Sequence, residues 1–473
     1  MSKTPDLLTK ELKVINLGLR SFHESLLDQG VPSVHTDWKP PAGGKKDVMA
    51  LLQKLETIED KIETANKEAL QRLQEANPVL VGVGRAIDVI PGMEKNLILH
   101  AGPPITWDKM AGPVKGAIMG ALVYEGMAKD IQEAEELAKS GKIRFDPCHH
   151  YNTVGPMAGV VSASMFVFII KNTKHGNYAY STMNEGLGKV LRFGAYSSEV
   201  IDRLKWMENT LAPTLKQALE LKPEGISIKA LTAQALMMGD ECHNRNVAGT
   251  SLFLREITPA LLSTDCSKET LKQVFEFISG NNHFFLNLSM AACKAICDTI
   301  ENLEYCTVMH GMARNGTEIG IRIAGLGDQW FTAPAGQPKG LYFSGYGDDD
   351  ACLDLGDSTI SETAGIGGFA MACAPAIVKF VGGAPSDAIR YTKQMGEICI
   401  GRHRDYQMPP MDFLGAPVGV DIRKTAESGI TPIINTGIAH KDPGVGQVGA
   451  GILFAPVEMF ENAMKEFARK YVK

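Results

Sequence analysis

Three observations predict an α/β fold of several domains. Apolar strand-like segments alternate with helix-forming ones between Pro78 and Gly141, the stretch from Ile226 to Leu303 is helical by pattern, and glycine-containing extended segments fill most of the rest. With 473 residues the chain has room for about two to four domains and a substantial core. The expected division is an arm (1–45), an α/β layer (46–147), a mixed α/β domain carrying the site (148–225 plus 304–473) and a helical subdomain (226–303).

Taken in order, KVINLGLRSFHESLLDQGVPSVHT (13–36) reads as strand, helix and strand, a βαβ unit closed by the prolines and glycines of TDWKPPAGGKK. From Asp47 to Leu73, Met49, Leu52, Leu55, Ile58, Ile62, Ala65, Ala69 and Leu73 recur at helical steps among charges, which predicts one long amphipathic helix. PVLVGVGRAIDVI and NLILHAGPPI read as buried strands, followed by helices in GPVKGAIMGALVYEG and AKDIQEAEELAKSG, and the alternation predicts parallel strands. CHHYNTVGPMAG then opens the second α/β region. Of the adjacent His149 and His150 only one can face a given site, and His150 is the candidate hydrogen-bond donor or general base, with a core role as the alternative.

The helical stretch contains GDECHNRN, where Asp240, His243 and Asn244 fall at helical i, i+3 and i+4 positions and can meet on one face, either as a structural network or as a substrate contact. Asn315-Gly316 predicts a hairpin that presents Arg314 at its edge, a fork suited to phosphate or carboxylate. The literal GxGxxG at Gly444–Gly449 follows HKDP and runs into the strand-like GILFAP. It therefore reads as a loop carrying Asn435, His440 and Lys441 toward a site, not as a dinucleotide fingerprint.

Composition excludes several function classes. A net charge of −6 with 22% charged residues lacks the basic excess of an electrostatic nucleic-acid binder. The longest apolar run, Gly159–Ile170, is too short to span a bilayer, and the polar N-terminus has no signal-like core, so a cytoplasmic protein is expected. Nine cysteines without a CxxC pair fit reduced thiols, and no metal-ligand spacing occurs, so neither a metal nor another cofactor is expected.

The densest concentration of chemistry is GDSTISETAGIGGFAMACAP (356–375). Gly365, Gly367 and Gly368 can converge backbone N–H groups on an anion, a helix from Phe369 would aim its positive end there, and Asp357, Ser358, Ser361 and Glu362 lie just upstream.

Taken together, CHHYNTVGPMAG, NEGLGKVLRFGAYS, MGDECHNRN, MARNGTEIGIRIAGLGDQWFTAP, GDSTISETAGIGG and INTGIAHKDPGVGQVGAG resemble the AllG family, also called YlbE/YahG-like, from about Pro78 to the C-terminus. The resemblance implies a Rossmann-like N-terminal layer beside a helical part. It further implies a component of an oxamate carbamoyltransferase of allantoin breakdown, working with FdrA-like and AllH-like proteins to exchange a carbamoyl group between oxalurate, oxamate and phosphate. A homo-oligomer is also expected. The first 40-odd residues resemble instead a segment near the end of FdrA-like partners.

Such an exchange needs positioned charge more than a nucleophile, because phosphate itself attacks. The expected phosphate cradle is Ser358 with the amides of Gly365, Gly367 and Gly368, backed by Arg314 or Arg402. Asn315, Asn435 and His150 are the expected oxyanion donors. Glu362 or His440 is the expected acid/base, oriented by Asp357. Removing Arg314 is expected to abolish phosphate-dependent turnover and spare the fold. Two other readings stay open: a non-catalytic scaffold subunit, and an NAD-dependent oxidoreductase, which the misplaced glycine run counts against.

Overall fold

Apolar patterning sets the architecture, and the computed structural model describes it for residues 11–36, 38, 40–380 and 383–472. Residues 1–10 of the expected arm, with Asp37 and Lys39 at its end, lie outside the described residues. Within the arm, strands Val14–Leu17 and Ser33–Thr36 pair in parallel around the helix Arg20–Asp28, so the βαβ reading matches the structure. Its outer face leaves Ile15, Leu17 and Val34 exposed.

The long helix expected from Asp47 to Leu73 is two helices, Lys46–Glu56 and Glu59–Glu75. Ile58 leaves helical geometry (φ −123°, ψ 19°), and the Thr57 hydroxyl donates back to the Lys54 carbonyl at 2.7 Å, a side-chain bond that competes with helix propagation. From Leu55 on the apolar stripe survives the break, because Leu55, Ile62, Ala65, Ala69 and Leu73 are all buried, whereas at its start Met49 is exposed and Val48 is buried instead.

Strands Leu97–His100 and Arg144–Pro147 pair in parallel, connected through the helices Gly112–Tyr124 and Ile131–Lys139. Parallel pairing does not extend to Pro78–Arg85. That strand lies in an antiparallel sheet of order Tyr178–Thr182, Phe166–Asn172, Pro78–Arg85, Ile226–Ser227. A short apolar run specifies burial, not the direction of its neighbour, which is why the pattern missed this.

Helices Ile228–Met237, Val247–Leu261, Lys268–Gly280 and Phe284–Cys297 make up the helical stretch. Every residue of Phe284–Cys297 is buried, and these helices share one apolar core with the antiparallel sheet: Phe253, Phe284 and Leu288 pack in the same cluster as Leu80, Phe168 and Ile170. Helical spacing fails for GDECHNRN. Gly239 and Cys242 have positive φ (91° and 59°), so Asp240–Asn246 forms a loop between two helices.

In the second half the hairpin Met309–Asn315 and Glu318–Ile323 pairs with Phe331–Pro334 on one side and Leu355–Gly356 on the other. A second sheet has the order Lys339–Tyr342, Gln447–Phe454, Ile433–Ala439. Only Gly444–Gly446 of the glycine run is loop: the strand Gln447–Phe454 starts inside the run, and Asn435 lies on the strand Ile433–Ala439 and not on a loop. Phe369, Ile433, Phe460 and Phe467 pack with Met309, Met312 and Ile321 in a second apolar cluster, while Leu355, Ile360 and Ile366 pack in the first, so the segment Leu355–Cys373 contributes to both. Among the described residues no helix is long and apolar enough to cross a membrane.

Candidate functional site

The hairpin turn places Arg314 inside the molecule, because strand Leu355–Gly356 pairs across it. Its guanidinium is fully buried. Nε and Nη2 donate to Asp354 (2.6 and 3.0 Å), Nη2 also donates to Thr436 Oγ1 (3.0 Å), and Nη1 donates to the Gly356 carbonyl (2.5 Å) and, at longer range, to Ser358 and Thr359. All its donor directions are therefore engaged within the protein. Arg314 pins the segment 354–359 in place and has no edge free for phosphate.

Asn315 is likewise internal. Its side-chain oxygen accepts from the N–H groups of Thr317 and Glu318, and its amide donates to the Pro103 carbonyl (3.0 Å), which closes the turn. Asp357 is fully buried and accepts from the N–H groups of Gly102 (2.9 Å) and Gly155 (3.0 Å). Burial pushes its pKa up to about 7, against the lowering effect of those two bonds and of Arg314.

The three glycine amides do not converge on one point: only that of Gly368 meets a carboxylate, and it belongs to the chain. Glu362 Oε1 accepts from Gly368 N (2.9 Å), Asn435 N (3.2 Å) and His243 Nδ1 (2.7 Å). Gly367 N donates to the Glu241 carbonyl (2.8 Å), and Gly365 N to that of Glu362 (3.0 Å). Gly365 and Gly367 have φ of +87° and +61°, and a Cβ on Gly367 would meet Glu362 Oε1. The expected helix from Phe369 is a 3-10 segment, Gly367–Cys373, so no helix end is aimed at this point.

Beside Glu362 lies a second buried carboxylate, Glu241, which accepts from Asn435 Nδ2 (3.1 Å) and Arg245 N (2.6 Å). Desolvation pushes its pKa up to about 7, with the charge of Glu362 adding to the rise. Glu362 Oε2 and Asn435 Oδ1 are buried and have no hydrogen-bond partner among the described residues.

This network borders a cavity of about 430 Å³. Its wall is largely apolar, with Phe193, Leu286, Leu341, Phe343 and Ile377, and it is interrupted by Arg192, His243, Asn244, His283, Ser358 and Gln447. With Nδ1 of His243 engaged by Glu362, Nε2 is the ring nitrogen left for the cavity. Arg192, 7% exposed, donates from Nε and Nη2 to the Gly186 carbonyl (3.1 and 2.7 Å), and its Nη1 makes no hydrogen bond among the described residues. Burial lowers its pKa to about 10, partly offset by the charge of Glu185. His283 is pushed down to about 3 by burial, then by the charges of Arg192 and His243, and all three groups line the cavity.

Of the residues named from sequence, Ser358, His243 and Asn244 line the cavity, while Glu362, Asn435 and the glycines stand behind His243. His150 is on the surface, bonded to Asp146 (2.7 Å) and Trp330 (3.0 Å). Its neighbour His149 is the buried one, with Nε2 3.7 Å from Asp357. His440 accepts from Asp442 N (3.0 Å), and Lys441 donates to the Asp349 carbonyl (2.6 Å), both outside the cavity lining. Arg402 donates to the Gly415 carbonyl (3.0 Å) and packs against Gly396, also outside it. Arg192, His283 and Glu241 were not singled out from sequence. Arg192 lies in the NEGLGKVLRFGAYS motif, but no spacing there marks it, and only burial with an open guanidinium edge does. Among the described residues no group of three or more His, Cys, Asp or Glu is arranged to hold a metal ion.

Fold and site together define a mixed α/β protein with an interior cavity backed by a carboxylate–imidazole pair. Residues 143–358 match the family described as "Oxamate carbamoyltransferase subunit AllG". The chain is 45% identical over 406 residues to the Escherichia coli K12 protein of that name, covering 85% of this chain and 97% of the relative. It is also 49% identical over 467 residues to "Uncharacterized protein YahG" of the same organism, covering 98% and 99%. A crystal structure of a conserved protein of unknown function from Enterococcus faecalis V583 is similar at a TM-score of 0.86 and 49% identity, over 87% of this chain and 99% of that one. The chain belongs to the AllG family.

Proposed function

We propose that the chain is the component of a carbamoyltransferase that binds a ureido acid and exchanges its carbamoyl group with phosphate, converting oxalurate and phosphate to oxamate and carbamoyl phosphate. The observation that supports it best is the cavity in which Arg192, with Nη1 open, and His243, backed by Glu362, share a wall with Ser358. In the forward step a phosphate oxygen attacks the carbamoyl carbon. The bond from that carbon to the oxamate nitrogen then breaks, and the nitrogen takes a proton. No enzyme nucleophile is required.

Arg192 takes the substrate carboxylate, a charge-assisted contact contributing about 1.5–3 kcal/mol. His243 gives the proton to the departing nitrogen from Nε2, while Glu362 fixes the ring through Nδ1. Ser358 and Asn244 donate to the carbonyl oxygen as it gains charge, and losing a donor of this kind typically costs about 2.7–4 kcal/mol of barrier. His283, held neutral, is a further hydrogen-bonding group in the same wall. Arg314, Asp354 and Asp357 act as positioning residues, keeping the segment that carries Ser358 and Glu362 in register. FdrA-like and AllH-like proteins complete the enzyme in this reading.

The test is carbamoyl phosphate formation from oxalurate and phosphate, assayed with the chain alone, with FdrA-like and AllH-like proteins, and with Arg192→Ala in the complex. The expected result is product from the complex and a loss of roughly 10–100-fold with Arg192→Ala, the range that contact energy implies. Turnover that is independent of this chain, or no product from any combination, overturns the proposal.

A further inference from the structure

Both reactants of the proposed exchange are anions, yet Arg192 is the one arginine or lysine among the described residues that line the cavity. His283 adds no charge, being pushed down to about 3 by burial. The amides of Gly365, Gly367 and Gly368, which could have held a second anion, are engaged by carbonyls and by Glu362. A ureido acid on Arg192 therefore leaves phosphate with no second guanidinium or ammonium in this wall, and the proton on His243 is committed to the departing nitrogen.

The rim supplies a second observation. Leu187, Leu341 and Phe343 line the cavity and are nevertheless 48%, 52% and 47% exposed. Leu341 lies on the strand Lys339–Tyr342, an edge strand that pairs with Gln447–Phe454 on one side. Exposed apolar residues beside an open strand edge form a surface suited to another chain.

Charge supplies a third. A few residues past Phe343 in the chain comes the acidic turn Asp348–Asp350. Asp348 and Asp349 are exposed, and among the described residues neither carboxylate is in an ion pair, the Lys441 ammonium being bonded to the Asp349 carbonyl (2.6 Å). An apolar rim flanked by acidic side chains, around a cavity short of positive charge, is complementary to a basic segment with apolar anchors.

We infer that this rim is the docking face of a different protein chain, whose segment seats apolar residues on Leu187, Leu341 and Phe343 and carries a lysine or arginine into the cavity as the phosphate counter-charge. The inference rests on the carbamoyl-exchange reading for the identity of the second anion. The docking surface itself rests on the rim.

The experiment compares the full chain alone with the complex assembled from the chain and the FdrA-like and AllH-like proteins. Light scattering reads association, and calorimetry with inorganic phosphate reads the anion site. Expected results are a chain that binds oxalurate alone but inorganic phosphate at least 100-fold more weakly than the complex does, loss of assembly in Phe343→Asp, and at least tenfold weaker assembly at low salt in Asp348→Lys with Asp349→Lys. That charge effect should shrink at high salt, since screening removes it. Three outcomes overturn the inference: equal phosphate affinity with and without partners, rim variants that assemble like the parent, or a self-associated chain that Phe343→Asp turns into monomers, which would make a second copy the occupant. Association is read without turnover. A complex that assembles through the rim but makes no carbamoyl phosphate therefore removes the functional reading and leaves the docking face, and the reverse pattern removes the docking face alone.

Discussion

Arg314 and Arg192 show how burial assigns a guanidinium its task. Arg314 is saturated by Asp354, Thr436 and the Gly356 carbonyl, so its loss strands a buried carboxylate, and Arg314→Ala is expected to lower stability by about 3–5 kcal/mol. Chemical denaturation checks this, and an unchanged midpoint would return Arg314 to the role of substrate ligand expected from sequence. Glu362→Gln should lower kcat with little change in KM, because the imidazole it orients acts during bond breaking. Steady-state kinetics of the complex decides it, and a change in KM alone would make Glu362 a binding group. Glu241 carries a stability prediction. Its folded pKa, about 7, lies above its ordinary value near 4.5, so the native state binds the extra proton. Its contribution is present below about pH 4.5 and is lost as pH rises through about 7. In Glu241→Gln the Asn435 amide can turn to suit the new side chain, and the fall in Tm across that window should flatten. A Tm profile parallel to the parent's would contradict the assignment.

The segment Gly356–Cys373 shows what a sequence reveals of an element and what it hides. Its glycines, hydroxyls and carboxylates marked it as the organising stretch, and Ser358 and Glu362 are indeed at or behind the cavity. What the amides of this nest meet was hidden: Gly368 donates to the chain's own Glu362 carboxylate, while Gly365 and Gly367 donate to backbone carbonyls, and glycine content alone does not distinguish these from a bound anion. Gly367→Ala tests the nest. A Cβ there combines positive φ with a clash at Glu362 Oε1, so a loss of at least about 2 kcal/mol is expected by calorimetric unfolding. GDECHNRN failed as a helix for a related reason. Spacing alone could not reveal that Gly239 and Cys242 would turn left-handed and swing His243 onto Glu362, 119 residues away.

At the scale of the whole molecule, the cavity is assembled from stretches far apart in the chain: Pro156–Met157, Leu187–Phe193, His243–Asn244, His283–Leu286, Leu341–Phe343, Ser358, Ile377 and Gly437–Gly451. The βαβ arm, the hairpin and the four helices between Ile228 and Cys297 were legible because each follows from local period and turn chemistry. The partner of Pro78–Arg85 and the selection of Arg192 over Arg314 and Arg402 depend on long-range packing, which no local pattern encodes. Apolar stripes fixed which residues are inside, while the direction of pairing and the saturation of donors were decided by tertiary neighbours.

The central claim is that a ureido acid binds in this cavity with its carboxylate on Arg192 and its departing nitrogen beside His243. A crystal structure of the chain soaked with oxalurate tests it most directly. The account predicts density bridging the open edge of Arg192 and His243 Nε2, lost in Arg192→Ala crystals. Oxalurate bound at Arg402 or His440 with the cavity empty would contradict it.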